Sequence, residues 1–203
     1  LYERILSYSS KIVDRHIAVS EYTSTLLNQK SNIPYDKIDV IYNFVDRGKY
    51  NKSRLKSFDS CLSTEIDKDN FRVGFAGRLE NRKGWKSVIS AAKQNKGIQF
   101  LVSGSGSSEK KLVREDELTE NLHYFGFLED VRMLFANIDC FLLPSHWDPS
   151  PMVLYEVQSC GIPLICTDVK SIDEIVEPGE NALTYPRRDI DVLSEKLIRL
   201  RQD

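Results

Sequence analysis

The sequence contains no apolar run approaching the ~20 residues that a bilayer-spanning helix needs, so no helical membrane span is expected within its 203 residues. No stretch reads as a secretory signal, and the expected compartment is the cytoplasm. Four cysteines (Cys61, Cys140, Cys160 and Cys166) form no CxxC pair and no zinc spacing. This argues against a zinc site and a disulfide framework; three of them stand in apolar surroundings and read as buried thiols. Histidine is scarce, with only three. His16 and His123 sit in or beside expected strands and read as structural. His146 lies in a loop with no second histidine or cysteine spaced to share a metal with it. There is no nucleophile elbow and no Walker loop. A net charge of −2 gives nucleic-acid binding no global electrostatic support. The remaining composition, 41% hydrophobic and 29% charged, is that of a globular chain able to bury a core in one or two domains.

The first 13 residues place Tyr2, Ile5, Leu6, Ile12 and Val13 on one helical face. A short strand is expected over 16–20, a helix capped by Ser20 through about residue 29, and a strand over 37–43. Residues 46–70 are polar, with one helical signal over 54–62. From Phe71 a regular alternation begins. Strands are expected at 73–76, 98–103, 123–125, 140–143, 164–167 and 182–185. Helices are expected at 85–94, 108–118, 131–136, 153–160, 171–176 and 189–201, the fifth supported by the capping-box pattern Ser171-x-x-Glu174. Such alternation implies an α/β fold with a parallel sheet covered on both faces. The chain begins at Leu1 and ends at Asp203 inside an amphipathic run (Ile190, Leu193, Leu197, Leu200), so a piece of a longer protein is expected.

Chemistry-bearing residues collect where strands end. Pro144 to Ile165 holds a strand end, a Pro-rich loop and the start of a helix. That arrangement presents free backbone N–H groups and a helix N-terminus, which suit a phosphate. Asp148 and Glu156 bracket this loop and suit neutral hydroxyls; a helix cap and a solvated carboxylate are the alternatives. Gly77 ends the first strand of the alternation, with Arg78 and Lys83 five residues apart in the loop that follows. Both can reach one anion, or both can be plain loop cations. Gly104-Ser105-Gly106 makes a tight turn, but Glu109 stands where a dinucleotide fingerprint needs its third glycine. Gly126-Phe127-Leu128 follows the next strand, with Asp130 as an expected helix N-cap; it either reads a base edge or is a turn with Phe127 packed in the core.

Six segments in order resemble the retaining glycosyltransferases of family 4, which are GT-B-fold sugar-nucleotide enzymes. They are AVSEYTSTLL with IDVIYNFVD, VGFAGRLENRKG, LVSGSG, YFGFLEDVRMLFANIDCFLLPS, DPSPMVLYEVQSCGIPLI and EIVEPGENALTY. The resemblance implies a Rossmann-like doubly wound parallel sheet, the C-terminal domain of a GT-B enzyme with a remnant of the N-terminal domain. Residues 1–45 would end the acceptor domain and its linker; residues 46–203 would form the nucleotide-sugar-binding domain, truncated at its C-terminus. Arg78 and Lys83 match the pair that grips the donor diphosphate. Glu156 matches the ribose-binding second glutamate of the E-x7-E motif. Asp148 replaces the first glutamate, which contacts the donor sugar, and thus makes a third catalytic candidate. Ser150, Pro151, Met152 and Val153 match the phosphate-binding loop and helix start, Phe127 and Leu128 the base-flanking segment, and Gly77 and Gly104 line the same edge. Pro149, Ser150 and Pro151 replace the family's Gly-Phe-Gly.

The resemblance further implies a UDP- or GDP-linked sugar donor, no cofactor and no metal, with Arg78, Lys83 and the helix dipole taking up developing charge. The acceptor would be a glycan or lipid-linked sugar in surface polysaccharide synthesis, with no nucleic acid. Peripheral contact with the inner face of the membrane through the N-terminal domain stays open. Two alternatives also stay open: a non-catalytic nucleotide-sugar-binding module and a GT-B sugar-nucleotide epimerase.

Overall fold

The computed structural model describes residues 8, 12–55 and 70–202. In chain order, β1 (His16–Ala18), α1 (Glu21–Ser31) and β2 (Ile38–Val40) come first, with β1 and β2 paired in parallel. Ser20 caps α1 by accepting the Thr23 N–H, and Asn32, in the left-handed region, ends it. A short α2 (Lys52–Leu55) follows. Then come β3 (Phe71–Ala76), α3 (Trp85–Gln94), β4 (Ile98–Ser103), α4 (Glu109–Leu118), β5 (Leu122–Tyr124) and α5 (Arg132–Phe135). The series ends with β6 (Cys140–Leu143), α6 (Met152–Ser159), β7 (Leu164–Thr167), β8 (Leu183–Tyr185) and α7 (Ile190–Gln202).

β3 to β8 form one sheet in the spatial order β5-β4-β3-β6-β7-β8, with every pair parallel. The chain steps outward from β3 to β5, returns to lay β6 beside β3, and then steps the other way. This is the expected doubly wound α/β sheet, and a crevice opens at the switch point outside the carboxyl ends of β3 and β6. Both faces are packed. Phe75, Phe100, Val102, Leu142 and Ile165 point to one side, under Trp85, Val88, Leu193 and Leu197. Leu101, Phe141, Leu143 and Cys166 point to the other, under Leu134, Phe135, Leu154 and Val157. Successive residues thus serve opposite cores, and for this reason the strands read as continuous apolar runs. Each such side chain contributes about 1.5–3 kcal/mol by leaving water. Cys140, Cys160 and Cys166 are buried free thiols, as expected.

The strands fall within a few residues of their expected places, as do the helices other than two. The helix expected over 54–62 begins earlier, at Lys52, and its remainder lies outside the described residues, as do Cys61 and most of the opening helix. The helix expected over 171–176 is instead a series of turns. The reason is that the carboxylate of Glu174 does not close a box on Ser171. It accepts the N–H groups of Glu21 (2.8 Å) and Tyr22 (2.7 Å) at the start of α1, and the Tyr42 hydroxyl at 3.0 Å. A carboxylate at a helix N-terminus satisfies orphan donors and meets the positive end of the dipole. Two segments far apart in the chain are joined in this way. Glu174→Ala should lower the melting temperature by roughly 2–4 °C, equivalent to about 1 kcal/mol of lost capping. An unchanged melting curve would show that the contact adds nothing.

Candidate functional site

The carboxyl ends of β3, β4 and β6 line a cavity of about 440 Å³ at the switch point. All of the residues expected at the site border it. The β3 and β4 loops are stitched together by Gly77 N–H to Ser103 O (3.1 Å) and Leu79 N–H to Ser105 O (2.9 Å). Gly104 has φ +144°, and a Cβ there would stand 1.8 Å from Gly77 O. Only glycine permits that approach, so the tight turn expected of Gly104-Ser105-Gly106 is a packing requirement.

Arg78 projects with two-thirds of its side chain exposed (66%), with Glu80 as its ion-pair partner at 3.4 Å. Lys83 behaves differently. A single 3₁₀ turn, Asn81–Lys83, ends at Gly84 (φ +70°), which opens α3 with its backbone pressed against Pro144 O. This contact, with His146 N–H donating to Arg82 O at 2.7 Å, clamps the β3 loop onto the β6 loop. Lys83 is thereby delivered to Asp148, and the two form an ion pair in which the carboxylate is only 7% exposed. Asp148 is thus neither a helix cap nor solvated: the N-cap of α6 is Pro151, with no side-chain bond. The backbone N–H of Asp148 donates to Ser171 Oγ at 3.4 Å.

At the start of α6, Ser150 and Pro151 are buried and Met152 is exposed. Leu154 N–H already bonds back to Pro151 O, whereas no acceptor among the described residues takes the N–H of Met152 or Val153. Across the cavity stand Phe127 and Leu128. Phe127 is 69% exposed, which corrects the reading that packs it in the core. It is free to flank a flat ligand. Asp130, the expected cap, stands one residue before the N-cap of α5, which is Val131, and accepts the Arg132 N–H at 3.0 Å.

Glu156 lies one turn into α6, half-buried rather than solvated. Burial raises its pKa above the ordinary value, opposed by a hydrogen bond from Tyr50 and by the charge of Lys49. Tyr50 is in turn pushed up to about 12, by burial first and by Glu156 second. Ionised Glu156 is therefore held in a place where it needs further donors.

Sequence reasoning missed several neighbours. Ser103 and Ser105 line the cavity beside Gly104 and were findable by their place at a strand end. Tyr50, lying more than 100 residues from Glu156, carries no local signal. His146 faces away from the cavity and borders separate hollows; burial, Arg188 and Arg187 lower its pKa. No cluster of three or more His, Cys, Asp or Glu suited to a metal occurs among the described residues. Of the two Asp-x-Asp triplets, 67–69 lies outside the described residues. In 189–191, Asp189 caps α7 and Asp191 accepts from Gln94.

This sheet, with its crevice and cavity, has the fold of the C-terminal half of GT-B glycosyltransferases. The chain belongs to the family described as glycosyl transferases group 1, whose model matches residues 62–203. An alpha-galactosylglucosyldiacylglycerol synthase of Streptococcus pneumoniae is 31% identical over 164 residues, 75% of this chain and 43% of that protein. The UDP-Gal:alpha-D-GlcNAc-diphosphoundecaprenol alpha-1,3-galactosyltransferase of Escherichia coli is 25% identical across 100% of this chain and 55% of its own length. The crystal structure of Anabaena Alr3699/HepE with UDP-glucose superposes with a TM-score of 0.86 at 23% identity, over 100% of this chain and 59% of that one. The chain spans about half the length of the curated relatives it matches.

Two outcomes follow from this geometry. A folded-state carboxyl pKa above the unfolded one means that ionisation opposes folding: stability is full below the unfolded value near 4.5 and falls as pH rises through the folded value. Glu156→Gln, which cannot ionise, should therefore melt higher than wild type at pH 7 and equally at pH 4; equal melting at pH 7 would contradict the burial argument. Removing Lys83 leaves a buried carboxylate unpaired. Lys83→Ala should cost about 3–5 kcal/mol in urea unfolding, and Lys83→Ala/Asp148→Ala should recover part of it.

Proposed function

We propose that the chain is the nucleotide-sugar-binding half of a retaining glycosyltransferase of family 4. The enzyme moves a sugar from a nucleoside-diphosphate sugar to a glycan or lipid-linked acceptor in surface polysaccharide synthesis. One observation carries this reading: a single cavity at the sheet's switch point gathers two cations, an open helix N-terminus and two carboxylates. Cations and free N–H groups suit a diphosphate, and carboxylates suit sugar hydroxyls.

In this reading Arg78 and Lys83 hold the diphosphate, the start of α6 takes the distal phosphate, and Glu156 accepts the ribose hydroxyls. Phe127 and Leu128 flank the base. Asp148, held by Lys83, orients both that lysine and the donor sugar. The bond from the anomeric carbon to the phosphate oxygen breaks, and its electron pair leaves with the diphosphate. The acceptor hydroxyl attacks the same face, and its proton passes to the leaving phosphate. Preorganised cations would stabilise that charge without a divalent ion. Residues 1–45 would end the acceptor domain and residues 46–203 would form the donor domain. The enzyme would work in the cytoplasm, at the inner face of the membrane.

UDP-glucose in the HepE structure makes a UDP-sugar the first donor to test. In a thermal-shift panel of UDP-, GDP- and ADP-sugars, one base at 100 times its dissociation constant should stabilise the chain by about 2.7 kcal/mol, and equally in EDTA. No shift with any base overturns the reading. A tenfold affinity loss in EDTA, restored by Mg²⁺ or Mn²⁺, overturns the metal-free chemistry.

A further inference from the structure

The loop that carries Asp148 and Ser150 is gripped from outside the donor domain. Ser20 Oγ, the cap of α1, donates to Pro149 O at 3.1 Å. Asn43, three residues beyond β2, uses a single carboxamide N–H₂ group twice: it donates to Ser150 O at 3.2 Å and to Ser150 Oγ at 3.0 Å. The opposite flank is held by Ser171, and Glu174 ties the same incoming segment down at Glu21, Tyr22 and Tyr42. The segment 20–43 therefore cannot shift without pulling on residues 149 and 150. Ser150 is 8% exposed and directly precedes the proline that starts α6.

We propose that Asn43 is a positioning residue of the donor site: its carboxamide fixes the Ser150–Pro151 turn and so sets where the open N-terminus of α6 meets the distal phosphate. This rests on the reading that the cavity takes a nucleoside diphosphate. The residue type matters. A carboxamide offers two hydrogens on one nitrogen, which a carbonyl oxygen and a hydroxyl oxygen can share. An aspartate of the same size offers only acceptors and would face the Ser150 carbonyl with like charge. This chain has prolines on both sides of Ser150 where the resemblance leads one to expect Gly-Phe-Gly, so the loop's conformation is set partly by its own rings and partly by Asn43.

The test uses the 203-residue chain and whichever of UDP, GDP or ADP binds the wild type, with the matching monophosphate as control. Calorimetric titration of Asn43→Ala and Asn43→Asp should show the diphosphate bound roughly tenfold more weakly, with the monophosphate, which lacks the distal phosphate, unchanged. Adding Ser150→Ala to Asn43→Ala should cost less than the sum of the two single changes. A variant that loses mono- and diphosphate affinity alike, or melts far below wild type, shows a merely structural contact and overturns the proposal. Unchanged diphosphate affinity in both variants overturns it too. A wild type that binds no nucleoside diphosphate overturns the underlying reading, an outcome distinct from these.

Discussion

The meeting of Lys83 with Asp148 is the contact on which the rest of the site depends. Each residue is brought to it by a different loop, and the two loops are also joined through backbone: Gly84 against Pro144, and Arg82 against His146. The desolvation of a carboxylate is costly, and only a cation held at contact distance repays it. The pair therefore works as a latch between the β3 and β6 loops. It also explains why a cavity persists at the switch point, since the two loops that could collapse into it are locked to each other above the sheet edge.

The cavity is electrostatically uneven. At one end Lys83 is already neutralised by Asp148, which leaves Arg78, mostly exposed and with only a loose partner in Glu80, as the more available cation. At the other end Glu156 is half-buried, and Tyr50 and Lys49 oppose the rise in its pKa. A ligand with negative charge toward Arg78 and Lys83 and hydroxyls toward the Glu156 end matches this order. A uniformly anionic ligand does not. The arrangement fits a nucleoside diphosphate better than a simple phosphate or a polyanion.

Much of this was legible in the residues. The strands could be read because a sheet packed on both faces makes each one a continuous apolar run, and the cavity-lining residues because they follow strand ends. What could not be read was pairing across distance. Glu174 sits three residues after a serine, a spacing that signals a capping box, yet a stronger set of donors at the start of α1 claims its carboxylate. Phe127 reads as core by composition, but its turn holds it outward. The contact of Asn43 with Ser150 and that of Tyr50 with Glu156 leave no local trace, because nothing in a window of a few residues records what lies on the other side of the molecule.

The cap that Glu174 places on α1 spans 153 residues of chain. During synthesis at about 5–20 residues per second, α1 therefore emerges roughly 8–30 seconds before the carboxylate that completes its N-terminus exists. Until then the N-terminus of the helix has only its own Ser20 as a cap. The completion of this cap thus waits on one acid far along the sequence. The turn at residues 171–174 therefore adds the last of the contacts that hold residues 20–43, after those at Pro149 and Ser150.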